Sequence, residues 1–293
     1  MSAPGLDQLP PDDAPPLDAN GREQSIRDIV FARPIGYRPL QMDLFLPAPQ
    51  NRPAPLVVHL YGGGFAMGSH QRDPFGSYLT VQLIAQGFAV ARPQYRHSRE
   101  AVFPAQFHDV TAALRWLRHH ASALQLDPDR VFAWGASSGG HLATMLAVAG
   151  GDPDLVGTVG QPGPPVGVRA AVAWSAPVDL ARLPGPPQGS PFHRLGADPH
   201  EWLLGGPADT VPDRARAACT AGHVTATAAP LRVVHGEGDD GIPIDQAEQL
   251  VAAYRAAGAA VELTPLPEIG HFFDDATRAA QTDAGIAFLQ RWS

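Results

Sequence analysis

From Ser25 onward, apolar residues fall into two alternating patterns: short runs that fit strands and longer stretches at helical spacing. The strand-like runs are Ile26–Ala32, Gln41–Leu46, Leu56–Tyr61, Phe88–Arg92, Val131–Trp134, Val168–Trp174, Leu231–His235 and Val261–Pro265. The third, LVVHLY, is almost wholly apolar, as a strand covered on both faces requires. Between the runs, Val110, Ala113, Leu114, Leu117, Ala121 and Leu124 recur at helical spacing, with Arg115, Arg118 and His119 on the other faces. Ile244, Ala247, Leu250, Val251 and Tyr254 repeat the pattern until Gly258 ends it, and a last helix is expected over roughly 275–292. Strands alternating with amphipathic helices predict an α/β protein, a mostly parallel eight-stranded sheet flanked by helices.

Two regions break the alternation. Residues 1–22 are rich in Pro, Asp, Gly and Ala without an apolar period, so a flexible, strand-less arm is expected there, with one domain over 23–293. Residues of about 180–225 hold LPGPPQGSP, EWLLGG and DRARAA, whose prolines and glycines rule out a long helix or a sheet strand. An insertion between two strands of an open α/β sheet sits above the strands' carboxyl ends, where ligands bind. A small cap is expected from it.

Composition changes this picture little. A charge of -8 opposes a nucleic-acid surface, which needs clustered Lys and Arg, and no apolar stretch is long enough to span a bilayer. The single cysteine, Cys219, cannot form an intramolecular disulfide, and the acidic, proline-rich start is unlike a signal peptide; a cytoplasmic protein is expected. Twelve histidines invite a metal, yet there is no H-E-x-x-H, and one cysteine cannot build a Cys/His zinc site. No metal and no cofactor are expected. Of the other histidines, His59 reads as a hydrogen-bonded core residue, His141 as packing against or bonding the turn at Ser137, and His119 and His120 as solvated beside Arg115 and Arg118.

Candidate chemistry concentrates in four places. Gly135-Ala136-Ser137-Ser138-Gly139 follows the run VFAW and opens the apolar helix HLATMLAVA, the setting of a nucleophile elbow. Its backbone turn is so tight that side chains two residues either side of the serine would collide, so both are glycine. Tyr61-Gly62-Gly63-Gly64-Phe65 follows the third strand; Gly63 and Gly64, with Ser138, are the expected N–H donors of an oxyanion hole. Neither phosphate-loop spacing is present around that triplet. A serine hydroxyl needs a base, and the base an orienting carboxylate. His271, in Gly270-His271-Phe272-Phe273, is the one histidine after His235. The loop Gly236–Pro243 offers the acid; Asp239 is best placed and Asp240 is the alternative. Phe65, Trp202 and Phe272, with Phe273, could line a substrate pocket or simply pack in the core.

Over about residues 25–293 the chain resembles the bacterial carboxylesterase branch of the α/β-hydrolases, near the hormone-sensitive-lipase-like and feruloyl-esterase-like families. The resemblance rests on YGGGF, on FPAQFHDVTAALRWLRHHASALQLDPDRVFAWGASSGGHLA, and on SAPVDL, HGEGDDGIPIDQAEQL and EIGHFF. Tyr61 stands where such proteins usually carry His, Ala136 replaces a frequent acid, and Tyr95–Arg99 lacks the usual Leu-Ser-Pro. The resemblance implies the α/β-hydrolase fold, with Asp239 as triad acid, and hydrolysis of a small-molecule carboxylic ester through an acyl-enzyme. An amide-directed hydrolase with the same triad, or a non-catalytic binding protein of the same fold, are the alternatives.

Overall fold

A computed structural model describes residues 8–9, 24–165 and 167–293. Among the described residues, nine strands form one sheet: β1 (Gln8–Leu9), β2 (Gln24–Pro34), β3 (Leu40–Leu46), β4 (Ala54–Leu60), β5 (Ala89–Pro93), β6 (Leu126–Ala136), β7 (Ala171–Trp174), β8 (Leu231–Gly236) and β9 (Val261–Leu266). Their order across the sheet is β1-β2-β3-β5-β4-β6-β7-β8-β9. The first three pairings are antiparallel and the remaining five parallel. All eight expected strands are present. The arm expected to be strand-less contributes β1, which pairs Gln8 with Pro34 and Leu9 with Arg33; the rest of 1–22 lies outside the described residues. So short a pairing has no apolar period to betray it.

The helices are α1 (Pro74–Ala85), α2 (Ala105–His119), α3 (Ser138–Ala149), three short ones at α4 (Pro191–Leu195), α5 (Pro199–Leu204) and α6 (Pro212–Ala218), then α7 (Asp245–Ala257) and α8 (Asp275–Arg291). The two-residue period of the strands divides the core. In β4, Leu56, Val58 and Leu60 join the layer that includes Leu114 and Leu250 of α2 and α7. Val57 points the other way, with Phe132, Trp134, Leu79 of α1 and Leu289 of α8. Both faces are buried, so the central strands read as continuous apolar runs.

Burial on α2 extends beyond its apolar stripe. Arg115 is buried, its guanidinium donating to the carbonyls of Val159 (2.7 Å) and Gln161 (3.1 Å). Those carbonyls come from a distant loop, and helical periodicity carries no sign of them. His119 is exposed and His120 half-buried.

Strand order also positions the site. From β4 the chain crosses to β5 on one side, and from β6 to β7 on the other. The carboxyl ends of β4 and β6 therefore flank a topological switch point, where the diverging connections leave a crevice. The glycine triplet leaves β4 there, and Ser137 leaves β6.

Candidate active site

Ser137 stands at the junction of β6 and α3 with φ 53° and ψ −126°, a conformation that non-glycine residues rarely adopt. The surrounding glycines show why the turn closes. A Cβ on Gly135 would meet the Gly139 carbonyl oxygen at 2.2 Å, and one on Gly139 would meet the Leu60 carbonyl oxygen at 2.0 Å. The Ser137 N–H donates to the Trp174 carbonyl at 2.8 Å, tying the turn to β7.

His271 and Asp239 arrive on loops after β9 and β8. His271 Nε2 lies 3.1 Å from Ser137 Oγ, and its Nδ1 lies 2.6 Å from Asp239 Oδ2. The other carboxylate oxygen of Asp239 accepts N–H bonds from Gly241 (3.0 Å) and Ile242 (2.9 Å), which set its rotamer. The Asp239 side chain is fully buried and His271 is partly open, while Asp240 is exposed. This separates the two acids that sequence position left as alternatives. Under Asp239, His235 Nε2 donates to the Ile242 carbonyl at 2.7 Å, and burial lowers its pKa, which keeps the ring neutral beside the carboxylate.

The glycine triplet lies against the serine turn: a Cβ on Gly62 would come within 3.4 Å of the Ser137 Cβ. Gly63 and Gly64 take φ 133° and 59°. Among the described residues, the Gly63, Gly64 and Ser138 N–H groups donate no backbone hydrogen bond outside the helices and strands. Tyr95 braces this loop: its hydroxyl donates to the Tyr61 carbonyl at 2.9 Å and its ring stacks on Tyr61 at 4.3 Å. Sequence reasoning passed over Tyr95, because pairing it with Tyr61 needs β4 and β5 side by side. It also passed over Phe192 of α4, whose ring would lie 2.7 Å from a Cβ on Gly64.

The pocket candidates divide. Phe65 is fully buried, its ring edge-on to His141 at 5.4 Å, so it packs in the core. Trp202 is half-buried near Phe192, with the Arg99 guanidinium 5.5 Å from its ring. Phe272 is 88% exposed beside His271, whereas Phe273 packs on Trp174. Trp202, Arg99, Ser98 and Glu201 line a cavity of about 340 Å³, and Ser98 also donates its N–H to the Phe65 carbonyl just after the glycine triplet.

His59 and His141 are bonded within the fold. His59 bonds Asp73 at 2.6 Å. His141 is fully buried, and its Nε2 donates to the Ala218 carbonyl at 2.8 Å rather than to the elbow. Burial pushes the His141 pKa down to about 4. A histidine titrates near 6.5 when unfolded, so below that pH the unfolded chain takes up a proton that the folded ring refuses. The stability this contributes is whole above pH 6.5 and drains away as pH falls toward 4, by up to about 3 kcal/mol. His141→Gln, which can still donate to Ala218, is expected to flatten the decline in melting temperature between pH 7 and pH 4.5. An unchanged slope in thermal melts would remove His141 as its source.

A mostly parallel sheet, a strained serine between strand and helix, and a His–Asp pair on the next loops define an α/β-hydrolase fold. Within that class, residues 42–254 match the BD-FAE family, and the chain belongs to it. It is 30% identical over 230 residues to Esterase LipQ of Mycobacterium tuberculosis, covering 76% of this chain and 51% of that protein. It is 31% identical over 245 residues to Ethyl acetate hydrolase of Pseudomonas putida, covering 80% of this chain and 71% of that one. A solved truncated form of a carbohydrate esterase from gut microbiota is similar, with a TM-score of 0.76 and 25% identity, over 94% of this chain and 98% of that chain. The chain spans about half the length of LipQ (51%) and of the probable carboxylic ester hydrolase LipM (53%). Among the described residues, no helix is long and apolar enough to cross a membrane.

Proposed function

We propose that this protein is a serine carboxylesterase that hydrolyses small carboxylic esters through an acyl-enzyme. The observation that carries the reading is the unbroken line from Ser137 Oγ through His271 to Asp239, with contacts of 3.1 and 2.6 Å. His271 takes the Ser137 proton as Oγ attacks the ester carbonyl. The N–H groups of Gly63, Gly64 and Ser138 receive the charge that develops on the carbonyl oxygen. His271 then hands its proton to the departing alcohol and activates a water to release the acid. Asp239 holds the tautomer with the proton on Nδ1 and stabilises the imidazolium that forms. The names of the similar proteins, esterases and ester hydrolases, support the same chemistry.

Residues 23–293 act as one catalytic unit in this reading, with 180–225 as its cap; support comes from Phe192 and Pro199, which crowd Gly64. Trp202 and the exposed Phe272 are its pocket residues, and no metal or cofactor enters the cycle. A cytoplasmic setting belongs to the same reading and rests on the lone Cys219. Side-by-side kinetics on an aryl acetate and the matched acetanilide test the bond cleaved. The ester is expected to turn over at least about 100-fold faster in kcat/KM, a difference of about 2.7 kcal/mol in barrier. Preference for the anilide would move the activity to amides. Failure of a fluorophosphonate probe to label the protein would favour a non-catalytic role.

A further inference from the structure

A second polar cluster lies at the β2–β3 edge of the sheet, away from the serine. Asp28, Asp43 and His70 bring one ligand-type atom each within 4.8 Å of one another. Asp43 is fully buried on β3, and His70 is 2% exposed on the segment leading from the glycine triplet to α1. Neither ring nitrogen of His70 has a hydrogen-bond partner, although Nε2 faces Asp43 Oδ1 at 3.6 Å. That is too long for a hydrogen bond, which needs about 2.7–3.2 Å. It is close to the edge of a tetrahedron with zinc-ligand bonds of 2.0–2.2 Å, roughly 3.4 Å. Asp28 sits where the β2–β3 register shifts, with φ 56°, and one of its carboxylate oxygens lies within 4.8 Å of the other two ligand atoms.

Each carboxylate keeps an oxygen that a metal could take. Arg27 binds Asp43 Oδ2 at 2.6 Å and the Asp28 N–H binds Oδ1 at 3.0 Å, so Oδ1 keeps a lone pair. Gln71 donates to Asp28 Oδ1 at 2.9 Å, which leaves Asp28 Oδ2 free to turn inward. Arg92 approaches Asp43 from β5. With Arg27 and Arg92 set against Asp28 and Asp43, the cluster is neutral before a metal binds. One imidazole nitrogen and two carboxylate oxygens suit a borderline first-row dication better than calcium or magnesium, which favour all-oxygen shells.

We propose that Asp28, Asp43 and His70 form a zinc-binding site that pins the segment after the glycine triplet to the sheet edge. The three ligands are separated by 15 and 27 positions along the chain and match no metal motif, so only folding unites them. The site stands apart from the hydrolase reading, and its test needs no activity. Protein stripped with EDTA and dialysed is titrated with zinc sulfate by calorimetry, then melted with and without zinc. Wild type is expected to bind one zinc at this site and to melt roughly 5 °C higher at a hundredfold excess of zinc over Kd. His70→Gln and Asp28→Asn should each weaken that binding by more than about tenfold and abolish the rise in melting temperature. Asp28 is exposed, so its substitution keeps the test usable if His70→Gln does not fold. No zinc binding by wild type, or equal binding by the folded variants, would overturn the site. Tighter binding of calcium or magnesium than of zinc would overturn the metal assigned to it.

Discussion

Ser137→Ala is expected to lower kcat for an aryl acetate by about 10⁶-fold while leaving the melting temperature within a few degrees of wild type. Removing Oγ deletes the only atom that can carry the acyl group, and His271 then has no proton to take. Alanine occupies the strained backbone about as well as serine does, because φ 53° is set by the glycines around it and not by the hydroxyl. Some rate above that in water should survive, since the proposed N–H donors, Gly63, Gly64 and Ser138, are untouched by the substitution. Labelling by a fluorophosphonate should vanish in the same variant. Activity above about 1% of wild type, with labelling retained, would place the nucleophile elsewhere.

Asp239→Asn should cost about 10⁴-fold in kcat, and Asp240→Asn less than about twofold. The contrast follows from burial and bonding. Asp239 is buried and accepts from His271 Nδ1 at 2.6 Å, whereas Asp240 is exposed and the next residue along. An asparagine at 239 can keep the N–H bonds from Gly241 and Ile242 through its amide oxygen, so the loop should hold. Its NH₂ group would then face His271 Nδ1 and donate to it. That favours the tautomer with the proton on Nε2, directed at Ser137, and a protonated Nε2 cannot serve as base. Steady-state kinetics on both variants, with melting curves as a check on folding, separate this role from simple destabilisation. Equal losses in the two variants would dissolve the assignment of Asp239.

Much of the site was legible because its parts are local. A nucleophile elbow needs two glycines, a serine, a preceding strand and a following helix, all within a short stretch, and Gly135–Gly139 meets each requirement. The glycine triplet is equally local, and so is the histidine loop at 271. Element type was legible for the same reason: Leu56–Leu60 and Val131–Trp134 are apolar because both faces of a parallel sheet are covered.

What the chain's own pattern determined was therefore the strand–helix alternation, the elbow and the small set of residues proposed for acyl transfer. Folding alone decided the rest, because those contacts join residues far apart in sequence. It selected Asp239 over Asp240 by burying one and exposing the other. It buried Arg115 as a donor to loop carbonyls, and drew Phe65 into the core. It set Phe192 against Gly64, stacked Tyr95 on Tyr61, and assembled Asp28, Asp43 and His70 at one point. Periodicity reports which face of an element is apolar; which partner meets that face depends on the order in which the strands lie across the sheet.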